Sequence, residues 1–233
     1  MVLDRFSLQG KVAIVTGCNT GLGQGMARAL AQAGADVVGV NMTAPQETER
    51  QVTDAGRRFL DVRADLADSH CIEPVLRQAL AWGGHVDILV NNAGIIRRDD
   101  AIRFSEKDWD DVLNVNLKSV FFFSQAVARQ FLAQGGGGKI INVASMLSFQ
   151  GGIRVPSYTA SKSAVVGITR LMANEWAASG INVNAIAPGY MATNNTAPLR
   201  ADADRSATIL ERIPAGRWGV PDDLAGPVVF LAS

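Results

Sequence analysis

Lys11-Val12-Ala13-Ile14-Val15-Thr16-Gly17-Cys18-Asn19-Thr20-Gly21-Leu22-Gly23 decides the fold. A short apolar run rich in β-branched residues passes directly into a glycine turn. The helix-like stretch Gln24-Gly25-Met26-Ala27-Arg28-Ala29-Leu30-Ala31-Gln32-Ala33-Gly34 follows, then a second strand-like run, Asp36–Asn41. Strand, glycine turn, helix and strand in this order predict a βαβ unit. Such a turn brings unpaired helix N–H groups and the positive end of the helix dipole towards an anion such as a pyrophosphate. Glycine lets the backbone turn tightly and lets a ligand approach without meeting a Cβ. The spacing is T-G-x-x-x-G-x-G rather than G-x-G-x-x-G, so the turn alone fits a structural role as well.

Outward from this unit, apolar strand-like runs alternate with helical periodicity, which implies a doubly wound parallel sheet with helices on both faces. Strands are predicted at 58–62, 86–90, 139–144 and 181–187, with helices at 72–82, 106–133 and 158–178. Gly135-Gly136-Gly137-Gly138 reads as a connector because a strand follows it. From about residue 189 to 212 the pattern becomes polar, and a final helix precedes Ser233.

The 233 residues suit one α/β domain. With 48% apolar and only 6% aromatic residues, the core is expected to be aliphatic, packed between helices and a buried sheet. Lys plus Arg equals Asp plus Glu at 22 each, so no bulk field draws nucleic acid or an anionic membrane. The N-terminus lacks a secretory pattern, and no apolar run reaches membrane-spanning length. Cys18 and Cys71 show no metal spacing and read as free thiols of a reducing cytoplasm. His70 and His85 likewise lack ligand spacing, so no metal is expected.

Chemistry enters with Tyr158-Thr159-Ala160-Ser161-Lys162. Tyrosine and lysine four apart on a helix share a face. An ammonium beside a phenol favours the phenolate, and bringing the pKa from about 10 to about 7 needs roughly 4 kcal/mol of differential interaction.

With the glycine turn, Asn91-Asn92-Ala93-Gly94, Asn116, Ser145, Tyr158-x-x-x-Lys162 and Pro188-Gly189 in this order, the whole chain resembles the short-chain dehydrogenase/reductase family. The resemblance implies a single-domain Rossmann fold and a nicotinamide dinucleotide. Asn116, Ser145, Tyr158 and Lys162 are then the catalytic set: Tyr158 exchanges a proton, Ser145 hydrogen-bonds the reacting oxygen, Lys162 lowers the tyrosine pKa and binds the nicotinamide ribose, and Asn116 helps hold a water chain. Gly17, Asn19, Thr20, Gly21, Leu22 and Gly23 take the pyrophosphate side of the cofactor. Asn41, Asp65 and Leu66 take the adenosine end. Asn91, Ala93, Gly94, Pro188, Gly189, Met191 and Thr193 line the remainder. Asn41 stands where NAD-preferring members carry Asp, and neither Thr20 nor Met42 supplies the positive charge that a 2′-phosphate needs, so NAD is expected.

The stretches 145–158 and 189–196 most resemble family members acting on 3-deoxy hexulosonate and deoxygluconate sugar acids. The expected substrate contacts are Ser145, Gln150, Arg154, Tyr158, Arg97 or Arg98, and Asn194, with Arg154 on the carboxylate. The family also implies a mobile substrate lid over about 189–212 and a homotetramer. Relatives continue for about another strand and a short tail, so a C-terminal segment is expected to be missing here, with effects on a sheet edge and a subunit interface. The alternatives are a gluconate dehydrogenase or 3-oxoacyl-carrier-protein reductase of the same family, and, in another class, a non-catalytic dinucleotide sensor. A sensor has no need of Ser145, Tyr158 and Lys162 together.

Overall fold

The computed structural model describes residues 1–233. β1 Val12–Thr16, α1 Gly21–Gln32 and β2 Asp36–Asn41 form the expected βαβ unit. α2 Gln46–Asp54, β3 Phe59–Arg63, α3 Ile72–Gly83 and β4 Ile88–Asn91 follow. Then come α4 Glu106–Leu113, α5 Ser119–Gln134, β5 Gly138–Val143, the short α6 Leu147–Gln150, α7 Pro156–Trp176 and β6 Ile181–Ile186. α8 Ala197–Ala201, α9 Ala203–Leu210 and α10 Ala225–Ala232 complete the elements. The six strands are parallel, in the order β3-β2-β1-β4-β5-β6. The chain reverses direction across the sheet between β1 and β4, and a crevice opens there at the strands' carboxyl ends.

The strand period of two splits the core into two layers. Val12 and Ile14 of β1 face α3, α5 and α7, packing with Val75, Phe123, Phe131 and Met172. Ala13 and Val15 face the other way, towards Met26 and Leu30 of α1 and Val228 of α10. Every residue of β1, β2 and β4 is buried, as strands covered on both faces require. No helix is long and apolar enough to cross a membrane.

Two features differ from the sequence expectation. α2 has no signal in the sequence: it buries only Thr48 and Val52, an apolar stripe too sparse to show as a period. The helix expected over 106–133 is present but passes through a π-helical stretch, Asn114–Lys118, between α4 and α5. Its apolar spacing survives the wider turn, so the pattern alone does not reveal it. The glycine connector has a packing reason at its end. A Cβ on Gly138 would lie 2.4 Å from the Phe131 ring, which occupies that space.

Phe131 is therefore a test of the layer beneath β5. Phe131→Ala removes a fully buried ring, and a loss of about 3–5 kcal/mol in unfolding free energy is expected from urea denaturation. A loss below about 1 kcal/mol would mean that this layer is loosely packed.

Candidate active site

Two cavities meet at the carboxyl ends of the strands. The first, of about 430 Å³, runs over the glycine turn, and Gly17, Asn19, Thr20, Gly21 and Leu22 form one wall. Asn41, Asp65 and Leu66 close one end, Ala93 and Gly94 form the opposite wall, and Tyr158, Lys162 and Thr193 reach the other end. The second, of about 560 Å³, is bounded by Ser145, Arg154, Pro188, Gly189 and Met191. Only Leu22, Val143, Tyr158, Thr193 and Asn195 belong to both. Tyr158 thus stands in the wall that the cavities share.

The first cavity has the features of a dinucleotide cradle. Thr20 precedes α1 without a side-chain cap, so the first-turn N–H groups of that helix remain available. Gly17 and Gly21 sit in the left-handed region at φ 63° and 60°. A Cβ on Gly17 would come within 2.9 Å of the Ala93 Cα. At the adenosine end Asn41 is 2% exposed, and its Oδ1 is buried without a hydrogen-bond partner. Its amide nitrogen is turned towards Asp61 Oδ1 at 3.5 Å. These residues fit a nicotinamide dinucleotide.

Several expected contacts lie elsewhere. Asn91 adds no surface to either cavity; its amide donates to Ser124 Oγ at 3.0 Å and Asn142 Oδ1 at 2.9 Å inside the core. Asn92, its neighbour, lines the cavity instead. Gly23 sits behind the turn, where a Cβ would be 2.3 Å from the Gly17 carbonyl oxygen. Pro188, Gly189 and Met191 face the second cavity rather than the dinucleotide cradle, whereas Asn194 faces the cradle. Gln150 ends α6 exposed and outside both. Arg97 turns away to Asp108 and Asp111 of α4, at 3.3 and 3.8 Å. Arg98 takes the place on the second cavity and donates to the Asn195 carbonyl at 2.7 Å. Arg154 does reach that cavity, but its Nε pairs with Asp100 at 3.1 Å. The β2–β3 register also brings in Arg63, opposite Asn41. Its Nε binds Asp61 at 2.6 Å and its Nη1 reaches the Met42 carbonyl at 3.4 Å, so a cation does stand near the adenosine end.

Residues 11–204 match the short chain dehydrogenase family. The chain belongs to that family. It is 72% identical to the 2-dehydro-3-deoxy-D-gluconate 5-dehydrogenase of Escherichia coli (strain K12) over all of this chain and 92% of the relative. The protein of the same name from Bacillus subtilis (strain 168) is 55% identical over 99% of this chain and 90% of its own length. The solved gluconate 5-dehydrogenase of Burkholderia cenocepacia J2315, in complex with NADP and tartrate, is 40% identical. It superposes with a TM-score of 0.93 over all of this chain and 92% of that one.

In this short-chain dehydrogenase α7 opens with Pro156 in its first turn, a position that spares a helix hydrogen bond. Tyr158 and Lys162 follow on one face. Lys162 is 4% exposed, and its Nζ donates to the Val143 carbonyl at 2.5 Å. Burial pulls its pKa down to about 8. The ammonium lies 5.8 Å from the Tyr158 ring centroid. The expected lowering of the phenol by Lys162 is therefore overridden. Burial raises the Tyr158 pKa, opposed by hydrogen bonding with Ser145 and by the charge of Arg98. Ser145 Oγ accepts the Leu147 N–H at 3.1 Å, which fixes the hydroxyl at the cavity wall. Asn116 lines neither cavity. Fully buried in the π-helical stretch, it accepts the Ile95 N–H at 2.8 Å and donates to Ile95 O at 2.9 Å and Ser161 Oγ at 3.3 Å.

The Lys162 environment sets a pH signature. Its native pKa lies below the unfolded value, so the unfolded chain binds more protons between about pH 8 and pH 10.5. Native stability contributed by this site is lost as pH falls through that window and regained as it rises, by up to about 3 kcal/mol. Denaturant titrations of wild type and Lys162→Met across that range should diverge. Parallel curves would mean that the ammonium is solvated in the native state.

Proposed function

We propose that this chain is an NAD-linked dehydrogenase that interconverts a keto and a hydroxyl group on a 3-deoxy hexulosonate or deoxygluconate sugar acid. The observation that carries this is Tyr158 in the wall between the dinucleotide cradle and a cavity faced by arginines. The identity with relatives named 2-dehydro-3-deoxy-D-gluconate 5-dehydrogenase supports the same substrate class. A homotetramer acting in the cytoplasm belongs to the proposal, as does a lid over 189–212.

The nicotinamide, when bound, supplies or takes the hydride. Tyr158 exchanges a proton with the reacting oxygen, as general acid for reduction and general base for oxidation. Its raised pKa keeps it protonated near neutrality, ready for reduction. The Ser145 hydroxyl and the Arg98 charge favour the phenolate that forms when the proton leaves. With substrate bound, the single Ser145 proton is donated instead to the substrate oxygen as charge develops there, and the Arg98 charge remains for the phenolate. Lys162, held on Val143 O, keeps two donors for the ribose hydroxyls. Asn116 acts as a positioning residue that ties the loop after β4 to α7.

The base of the lid is pinned. Gly219 N–H donates to Tyr190 O at 2.8 Å and Ala192 N–H to Gly219 O at 2.7 Å, which gives the proposed lid of α8 and α9 a fixed edge.

Tyr158→Phe should lower kcat at least a thousandfold while NADH titrations by fluorescence change by less than about threefold, since the phenol supplies the proton and little of the dinucleotide contact. Turnover of a panel of keto and hydroxy sugar acids identifies the substrate. Most of the wild-type rate in Tyr158→Phe would sink the assignment.

For the cofactor, Asn41 offers a 2′-phosphate no positive charge, and Arg63, the cation nearby, is paired with Asp61. We expect a higher kcat/KM with NAD than with NADP. Arg63 is the group from which any NADP use would come, so Arg63→Ala should depress kcat/KM for NADP and leave that for NAD within about twofold. Preference for NADP in the wild type would overturn this part of the proposal.

A further inference from the structure

The second cavity receives three arginines, and two are already engaged. Arg154 pairs with Asp100, which also takes Arg103, and its side chain is 59% exposed. Arg98 donates to the Asn195 carbonyl, and its charge acts on Tyr158, beside the reacting atoms. Arg205 of α9 is different. It lines the cavity, yet no carboxylate lies within ion-pair distance of its guanidinium and no hydrogen bond is made by its side chain. Only its backbone N–H is used, donating to Asp202 Oδ1 at 2.9 Å in the cap of the helix. That bond also turns one oxygen of Asp202, the acidic residue on the cavity wall, towards the helix backbone.

Its place in α9 is electrostatically unfavourable. Arg205 is the third residue of the helix, where the backbone dipole presents its positive end and a cation is disfavoured. Folding gains nothing from a guanidinium there. An anionic ligand in the cavity would.

Substrate geometry selects the same residue. In a six-carbon sugar acid reacting at C5, the C1 carboxylate is four carbon–carbon bonds from the carbon beside Tyr158. Arg98, close to the phenol, suits the reacting end; a cation on the facing lid suits the remote end.

We propose that Arg205 binds the remote carboxylate of the substrate and by that contact draws α9 down over the bound sugar acid. The proposal rests on the sugar-acid function given above. It makes Arg205 a specificity residue that touches substrate, contributed by the lid rather than by the loops around the sheet.

The test compares wild type, Arg205→Ala and Arg205→Lys on 2-dehydro-3-deoxygluconate and on its neutral primary amide. Arg205→Ala should raise KM for the acid roughly ten- to a hundredfold and leave KM for the amide within about twofold, because a charge-assisted pair is lost only with the acid. Lysine should restore part of the loss, since it brings a point charge without the planar fork. Hydrogen exchange over residues 197–210, with NADH and the acid at saturation, should show protection in wild type that Arg205→Ala lacks. Unchanged thermal stability and NADH affinity in the variant would confirm that it folds. A wild type that prefers the acid, with Arg205→Ala keeping that preference and the same protection, would overturn this assignment alone. A wild type that turns over neither acid nor amide would overturn the sugar-acid function and this assignment with it.

Discussion

The carboxyl ends of β1 and β4 are locked together by side chains as well as by the sheet ladder, and both cavities depend on that lock. Thr16 Oγ1 accepts the N–H groups of Asn92 and Ala93, each at 3.0 Å. Asn92 Nδ2 donates to the Thr16 and Gly17 carbonyls at 3.0 and 2.9 Å. These groups sit where the strands stop pairing, so their polar atoms would otherwise be left unsatisfied in a partly buried place. The same bonds hold the glycine turn against Ala93 at a separation that excludes a Cβ on Gly17. The glycine turn and the Asn-Asn-Ala-Gly segment, 75 residues apart, thus form one rigid rim. On its far side, Asn116 grips both backbone groups of Ile95 and reaches Ser161 of α7, which carries Tyr158 and Lys162. A π-helical stretch at this point fits a residue that has to reach sideways out of its own helix.

Against that rim the electrostatics of α7 are those of burial. Lys162 is an ammonium without a carboxylate, held by one carbonyl, and Tyr158 is a phenol that burial keeps protonated. Both shifts favour the neutral form, which is the expected effect of taking charge out of water. The polar groups that oppose this are few and aimed: Ser145 and Arg98 at the phenol, Val143 O at the ammonium. A buried ammonium with spare donors can bind ribose oxygens with little further desolvation, because that cost has been met in folding.

The fold was legible because periodicity reports burial. The β1 run, the glycine turn and the alternation of elements follow from strands covered on both faces, and the structure has each of them. α2 is not legible because two buried residues make no period. Within the site, Tyr158, Ser145 and Lys162 were found where the motif spacing put them, on the cavities. Side-chain direction in irregular segments was harder. Asn91 and Asn92 are neighbours, yet one points into the core and the other into the rim. Arg97 and Arg98 divide in the same way, towards α4 and towards the cavity, and no period exists in that loop to tell them apart. Arg63 needed the β2–β3 register, a cross-strand relation that sequence order does not carry. Arg205 had a local signal in Asp202-x-x-Arg205, a helix cap, but its exposure to the cavity depends on how α9 folds back.

Charge balance leaves the recognition of an anionic substrate to local contacts. With 22 basic and 22 acidic residues the chain has no net field to concentrate an anion. Exposed charges are screened beyond a Debye length of about 8 Å at physiological salt. Many of the surface arginines are paired locally, as Arg50 is with Glu47 and Asp54 and Arg217 is with Asp223. Such exposed pairs contribute little to stability, but they cancel charge that would otherwise attract anions indiscriminately. What remains for a carboxylate is short-ranged and lies inside the second cavity, where water is partly excluded and each contact counts for more. On the proposed function, selectivity for a sugar acid over a neutral ketone then depends on the cations that line this cavity. The wall facing Ser145 and Tyr158 is the segment holding α8 and α9, the lid of the proposed function, whose base is fixed at Gly219.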